Sequence, residues 1–179
     1  MKKYILITFI TFLFYSQANS QITKHNWMVG GNGQASFKTR LDQITLTNDK
    51  YFDLTLSPNI GYFFFNNFAA GANVSLVIND NNRGYHATQC SIGPFLRYYF
   101  LNTENKINLF TQVAYQNLYS FVANENINNT LTFSAGPVIY LTPSIGIELT
   151  ANYAMLKFDH ASVHTLSLGI GFQIHLEKE

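Results

Sequence analysis

The chain has 179 residues and a formal net charge of +1, and its single cysteine, Cys90, excludes an intrachain disulfide. Asp, Glu, Lys and Arg make up only 12% of the residues, against roughly 25% in ordinary soluble domains, whereas Phe, Tyr and Trp reach 16%. This composition argues against a nucleic-acid-binding protein, which would be strongly basic, and it supplies little of the surface charge that keeps a soluble domain dispersed.

The first 20 residues are typical of a secretory signal peptide. Lys2 and Lys3 form a positive segment, residues 4–15 form an uncharged apolar run, and Ala18 and Ser20 are small residues at the two positions that a signal peptidase reads. The apolar run is shorter than the roughly 20 residues of a membrane-spanning helix, which makes the alternative, a retained helical anchor, the less favoured one. We therefore expect a cleaved signal peptide over residues 1–20 and one mature domain over residues 21–179.

Beyond this segment, apolar and polar residues alternate with a period of two, the pattern of β-strands with two different faces. Eight segments show it, namely residues 27–38, 52–64, 68–78, 89–100, 107–116, 131–141, 145–153 and 166–176. At a tilt near 40°, about eleven residues of strand span about 28 Å, which matches the apolar band of an outer-membrane barrel. The sequence therefore predicts an all-β fold, an eight-stranded antiparallel up-and-down transmembrane β-barrel in the outer membrane of a Gram-negative bacterium.

The connections between the segments alternate in length. Three are short (residues 65–67, 101–105 and 142–144) and four are longer and polar (residues 39–50, 79–84, 120–129 and 157–162). Outer-membrane barrels place short turns in the periplasm and long loops outside the cell. Aromatic residues gather near the short turns, where we expect a girdle at the membrane interface formed by Trp27, Tyr62, Phe63, Phe64, Phe65, Phe68, Tyr98, Tyr99 and Phe100.

The polar face of the segments decides whether the apolar face points outward to lipid or inward, as in a secreted lipocalin-like binder. The polar face holds mostly Asn, Gln, Ser, Thr and Gly, which suit a hydrogen-bonded interior better than a water-facing exterior. We therefore expect the apolar face to contact lipid. Asp53, Arg97 and Glu148 then point into a narrow lumen, and because unpaired buried charges are costly, we expect Arg97 to pair with Glu148 or Asp53.

Three phrases resemble those of the small outer-membrane β-barrel domain family, relatives of OmpA-like and OmpX-like barrels: residues 57–63, 93–100 and 135–137. The last segment carries Ser167, Gly169, Phe172 and Ile174 in a spacing similar to the signal that the barrel-assembly machinery reads in final strands. The resemblance implies an eight-stranded barrel whose partners are outer-membrane lipid and, during insertion, the assembly machinery. Residues 176–179 depart from the family, which usually ends on an aromatic residue.

Catalytic and metal-binding patterns are weak. His160 and Ser162 faintly resemble the His-x-Ser of lipid A deacylases, but no carboxylate is well placed to orient the histidine. The five histidines have no zinc-site spacing, so we expect no metal and no cofactor. The predicted function is therefore a non-enzymatic, structural or interaction role, with a filled lumen and a possible extracellular ligand at residues 39–50 and 120–129. A narrow passive pore, a lipid A-modifying enzyme and a lipocalin-like binder are the alternatives.

Overall fold

The computed structural model describes residues 22–42, 47–81, 86–102, 105–120, 125–157 and 162–176. The expected signal peptide, residues 1–20, lies outside these ranges, as does His160. Within the described ranges, no helix is long and apolar enough to cross a membrane.

Eight antiparallel strands form one closed barrel. They are β1 (Trp27–Asp42), β2 (Thr47–Phe65), β3 (Phe68–Asn81), β4 (His86–Tyr99), β5 (Ile107–Ser120), β6 (Glu125–Tyr140), β7 (Ile145–Lys157) and β8 (Ser162–Leu176). Each strand pairs with the next one along the chain, and β1 pairs with β8 to close the sheet. The predicted fold class, an eight-stranded antiparallel up-and-down barrel, is confirmed.

The strands extend further toward the long connections than the alternation indicates. β1 and β2 remain paired out to Asp42 and Thr47, and β5 and β6 out to Ser120 and Glu125. The prediction of long loops over residues 39–50 and 120–129 was therefore wrong for most of those residues. An antiparallel ladder needs only backbone groups, so it can continue past the end of the hydrophobic alternation.

The two faces of the sheet separate as predicted, with apolar side chains outward and polar ones inward. A lipocalin-like barrel needs the opposite arrangement, so that alternative is contradicted. Exposed apolar residues occur on every strand and include Val29, Leu56, Ile60, Leu76, Ile92, Leu96, Leu109, Phe133, Ile147, Leu149, Ile170 and Phe172. Buried polar residues of the interior include Asn59, Asn73, Ser75, Ser91, Asn108, Gln112, Gln116, Ser134, Thr150, Asn152 and Gln173.

The aromatic girdle is real but smaller than predicted. Phe63 and Tyr99 are fully buried in the lumen, whereas their neighbours Phe64 and Tyr98 are exposed. Consecutive residues of a strand point to opposite faces, so a run of aromatic residues cannot lie on one side of the sheet. On the outer face, Tyr62 packs edge-on against the rings of Trp27 and Phe64, with centroids 5.2 Å apart in both pairs.

The residues that precede β1 fold beneath the short-turn end of the barrel. Ile22 is fully buried, and its carbonyl oxygen accepts a hydrogen bond of 2.9 Å from the backbone N–H of Asn67 in the β2–β3 turn. The N–H of His25 donates to the carbonyl of Phe63 at 2.8 Å, and the N–H of Phe63 donates to the carbonyl of Asn26 at 2.9 Å. These bonds hold the segment against the base of the lumen.

A charge placed in the middle of the outer face should destabilise the barrel in lipid. We expect Leu149→Arg to lower the free energy of unfolding in phospholipid vesicles by about 2–4 kcal/mol, because Leu149 lies midway along the apolar face of β7. Phe65→Arg, at the exposed β2–β3 turn near the interface, should cost about 0–1 kcal/mol. Equal costs in urea titrations would contradict the outward assignment.

Candidate functional site

The lumen is closed at its short-turn end by a layer of large inward-facing side chains. We call this the basal layer; its members are Ile22, Met28, Phe63, Phe95, Tyr99, Phe110, Val138, Tyr140 and His175, each at most 4% exposed. The ring centroid of Tyr99 lies 6.0 Å from that of Phe63 and 6.0 Å from that of His175. An eight-stranded barrel is only wide enough for side chains to fill, so one such layer occupies its cross-section.

An ion pair crosses the lumen beside the rings of this layer. Arg97 of β4 donates from Nη1 to Oε1 of Glu148 on β7 at 2.5 Å, and from Nη2 to Oε2 at 3.4 Å. The two strands are not neighbours in the sheet, so this contact spans the interior. Both side chains are almost completely buried, at 3% and 0% exposure.

Other donors of the guanidinium are also used. Nε of Arg97 donates to Oε1 of Gln112 at 2.8 Å, and Nη1 also donates to the hydroxyl of Tyr99 at 3.1 Å. The ring of Phe110 lies 4.4 Å from the guanidinium carbon, close enough for a cation–π interaction. Arg97 is therefore held on several sides, which suits a planar group with a fixed fork of donors.

Of the three charged residues expected in the lumen, the structure brings together only Arg97 and Glu148. Asp53 pairs in register with Asn79, which pairs with Ala87 on β4. Ala87 precedes Arg97 by ten residues of the same strand, which corresponds to about 33 Å. Asp53 therefore lies far from the ion pair, toward the other end of the barrel.

Above the ion pair the lumen contains a cavity of about 540 Å³. Its floor includes Arg97 and Gln112, and its walls carry amide and hydroxyl side chains, among them Asn32, Gln34, Ser75, Gln116, Thr150 and Asn152. Several of these groups bond to each other, such as Gln116 to Ser75 at 3.1 Å and Asn152 to Thr150 at 3.0 Å. The chemistry of this wall suits a small, uncharged group that both donates and accepts hydrogen bonds.

His175 and Gln173 were missed as elements of the site. Both point inward from β8, and within the described residues neither the ring nitrogens of His175 nor the amide of Gln173 have a hydrogen-bond partner. Their inward position follows from the alternation of β8, but their depth relative to Arg97 depends on how β8 pairs with β1 and β7. Among the described residues, no group of three His, Cys, Asp or Glu side chains is placed to hold a metal ion.

The residues of the expected assembly signal divide between the two faces of β8. Phe172 is exposed on the outer face, and Ile174 is on that face because it pairs with Val29 and Ile145. Ser167 is inward, where its hydroxyl donates to Oε1 of Gln34 at 2.6 Å, and Gly169 is also inward. The reading of these residues by the assembly machinery stays a prediction. Ser162 begins β8, and its side chain lies outside the described residues.

Two solved structures are similar to this barrel. Neisserial surface protein A has a TM-score of 0.55 and 14% sequence identity, over 84% of this chain and 95% of that one. The outer membrane protein OprG from Pseudomonas aeruginosa has a TM-score of 0.55 and 13% identity, over 91% of this chain and 100% of that one. The chain has the fold of the small eight-stranded outer-membrane β-barrels. No family model matches it, and no curated protein is similar enough to match.

This fold agrees with the predicted location in the outer membrane and with the exposed apolar face of every strand. A barrel is also the β-structure that hydrocarbon permits, because neighbouring strands satisfy one another's backbone groups wherever they pair.

Replacing one residue of the Arg97–Glu148 ion pair should lower the free energy of unfolding more than replacing both residues together. We expect Arg97→Met and Glu148→Leu each to lower the free energy of unfolding by about 3–5 kcal/mol, because each leaves a buried charge without its partner. The double variant should lose much less than the sum of the two. Urea titration of the four proteins in vesicles measures the coupling, and additive losses would show that the pair does not interact in the folded state.

Proposed function

We propose that this protein is an integral outer-membrane barrel that does not conduct and has a structural or interaction role on the cell surface. The observation that supports this most is the basal layer, which fills the cross-section at the end where the short turns lie. An ion entering the lumen would have to cross closely packed aromatic rings and a buried ion pair without its hydration shell. Such a step is costly, so a passive pore is the weaker function.

The segment before β1 adds to this barrier. Ile22 is packed under the aromatic rings, and the backbone bonds of His25 and Asn26 to Phe63 tie the segment to β2. Moving the segment aside would break these bonds and expose buried apolar surface. We therefore expect the base to stay closed rather than to open as a gate.

The other end of the barrel offers the surface for partners. In the β1–β2 and β5–β6 hairpins the backbone stays paired beyond the apolar alternation, as far as Asp42 with Thr47 and Ser120 with Glu125. Backbone pairing restrains these residues, which lowers the conformational entropy lost when a partner binds them. The proposed role is non-enzymatic, and it is supported by the hydrogen bonds that join several of the described polar groups of the lumen, such as Gln116 to Ser75 and Asn152 to Thr150.

The proposal is tested by conductance in planar lipid bilayers. We expect the wild-type protein to show no channels. Replacing three inward rings together, in Phe63→Ala/Tyr99→Ala/Phe110→Ala, should create a water-filled path and measurable current, because the three side chains share the basal layer.

The matched control uses outward neighbours in the same strands, Phe64→Ala/Tyr98→Ala/Leu109→Ala, which should stay silent. Heat-modifiable migration on gels identifies folded barrels in each preparation. Steady channels from the wild-type protein would refute the closed lumen.

The role of the last strand in assembly is tested separately. We expect Phe172→Ala to reduce the amount of folded barrel in cells several-fold, since Phe172 is the aromatic position of the expected signal. Ile170→Ala, on the same outer face of β8, is the control and should assemble nearly normally. Both variants should refold alike in vesicles without the machinery. Equal loss in cells would argue against the signal.

A further inference from the structure

The seam between β1 and β8 is closed over only part of its length. The two strands pair from Trp27 and Leu176 as far as Gly33 and Ile170. Each strand continues well beyond that point, and each stays paired there with its other neighbour, β1 with β2 to Asp42 and β8 with β7 to Ser162. Within the described strands, the ladder between β1 and β8 therefore stops about halfway along the barrel.

The exposure of β8 changes where the ladder stops. Leu168 and Leu166 are 77% and 78% exposed, whereas the outward Phe172, in the paired part of β8, is 53% exposed. Leu149 on the neighbouring β7 is 49% exposed. The two leucines lack the flanking cover that a paired strand would give them, which marks this part of β8 as a free edge.

A side chain bridges the two strands in place of the ladder. Oε1 of Gln34 accepts a hydrogen bond of 2.6 Å from the hydroxyl of Ser167, and Nε2 of Gln34 donates to Oδ1 of Asn32 at 3.2 Å. A Cβ atom on Gly169 would lie 2.8 Å from Cγ of Gln34, so the glycine leaves the space that this side chain uses. The Gln34–Ser167 bridge is a side-chain contact that can be exchanged without unpairing a strand.

Two cavities meet at this point. One is the polar lumen cavity; the other is a groove of about 740 Å³ lined mainly by outward, apolar residues that include Gly33, Leu54, Ala135, Pro137, Leu149 and Ile170. Gln34, Ala35, Thr150 and Leu168 line both. The apolar groove on the lipid side and the polar cavity of the lumen are thus continuous through the unpaired part of the seam.

We propose that the open part of the β1–β8 seam is a lateral binding site for a single-chain amphiphile from the bilayer, with an uncharged head group such as that of a monoacylglycerol. The acyl chain lies in the groove beside Ala35 and Leu168, and the head group exchanges with the Gln34–Ser167 bridge and enters the lumen cavity. The size of the groove is within the roughly 300–1,000 Å³ of small-molecule sites.

The head group is uncharged because the described residues that line the cavity offer no free charge to pair with it. Arg97 on its floor is already bonded to Glu148, and Asp53 on its wall also has a partner. Amide and hydroxyl groups such as those of Asn32 and Thr150 match the hydroxyls of a glycerol instead. Since the basal layer closes the lumen below, the site holds its ligand rather than passing it through.

The test is native mass spectrometry of the detergent-solubilised full-length barrel with added monooleoylglycerol. We expect one bound molecule on the wild-type protein and on Cys90→Ser. In the Cys90→Ser background, Ala35→Cys/Leu168→Cys places cysteines at the next outward pair of the interrupted ladder. Oxidation should close the seam and reduce the bound fraction at least tenfold, and reduction should restore it.

The control disulfide is Val29→Cys/Ile174→Cys, an outward pair where the ladder already exists, which should leave binding unchanged in both redox states. A second variant avoids disulfide chemistry. Ala35→Phe should block the shared wall and abolish binding, whereas Ala72→Phe, equally outward but on β3, should not. If the disulfide between positions 35 and 168 does not form, Ala35→Phe and Ala72→Phe still test whether the site binds the ligand.

Three results would overturn the proposal. They are no bound monooleoylglycerol on the wild-type barrel, equal binding with the seam oxidised, and equal binding to the Ala35→Phe and Ala72→Phe variants. Hexadecane and oleate serve as comparison probes. If hexadecane binds as strongly as monooleoylglycerol, the lumen cavity does not contribute to binding. If oleate binds more strongly, the site does not prefer an uncharged head group. Conductance is independent of these measurements, so a conducting wild-type barrel would refute the closed base alone.

Discussion

The whole structure depends on one constraint, that in hydrocarbon each backbone N–H and C=O must find its partner within the protein. The antiparallel sheet meets this constraint where its strands pair, which excludes the upper part of the β1–β8 seam, and it forces successive side chains to opposite sides. Leu149 faces lipid because Glu148 and Thr150 face the lumen. The low charge content of the chain follows from the same geometry, since lipid excludes charge from one face and the narrow lumen admits it only in pairs.

The narrow lumen divides into two zones with different chemistry. At the base, rings such as Phe63 and Tyr99 fill the space, and the charge of Arg97 is tolerated there because Glu148, Gln112 and Tyr99 all bond to it. Higher up, smaller amide and hydroxyl side chains leave a cavity. The size of the inward side chains, rather than a change in the sheet, therefore determines where the barrel is filled and where it is hollow.

Local periodicity was enough to predict the strands, their faces and the inward position of Arg97 and Glu148, because these depend only on alternation within one strand. It was not enough for Phe63 and Tyr99, which were assigned to the girdle as members of aromatic runs although alternation turns them inward. The distance of Asp53 from Arg97 could not be predicted either, because it depends on how β2 pairs with β3 and on how β3 pairs with β4. The extension of β1 and β2 over residues 39–42 and 47–50 has one apolar residue, Leu41, which is too few to show an alternation.

The register of the β1–β8 pair is determined differently from that of the other seven strand pairs. A turn or loop joins every other pair of strands and fixes their register locally, whereas β1 and β8 come from opposite ends of the chain and meet only when the barrel closes. Their ladder depends entirely on the side chains that meet there. It stops at Gly33 and Ile170, where Gln34 and Ser167 bond to each other above the last paired residues. An opening here leaves every hairpin intact.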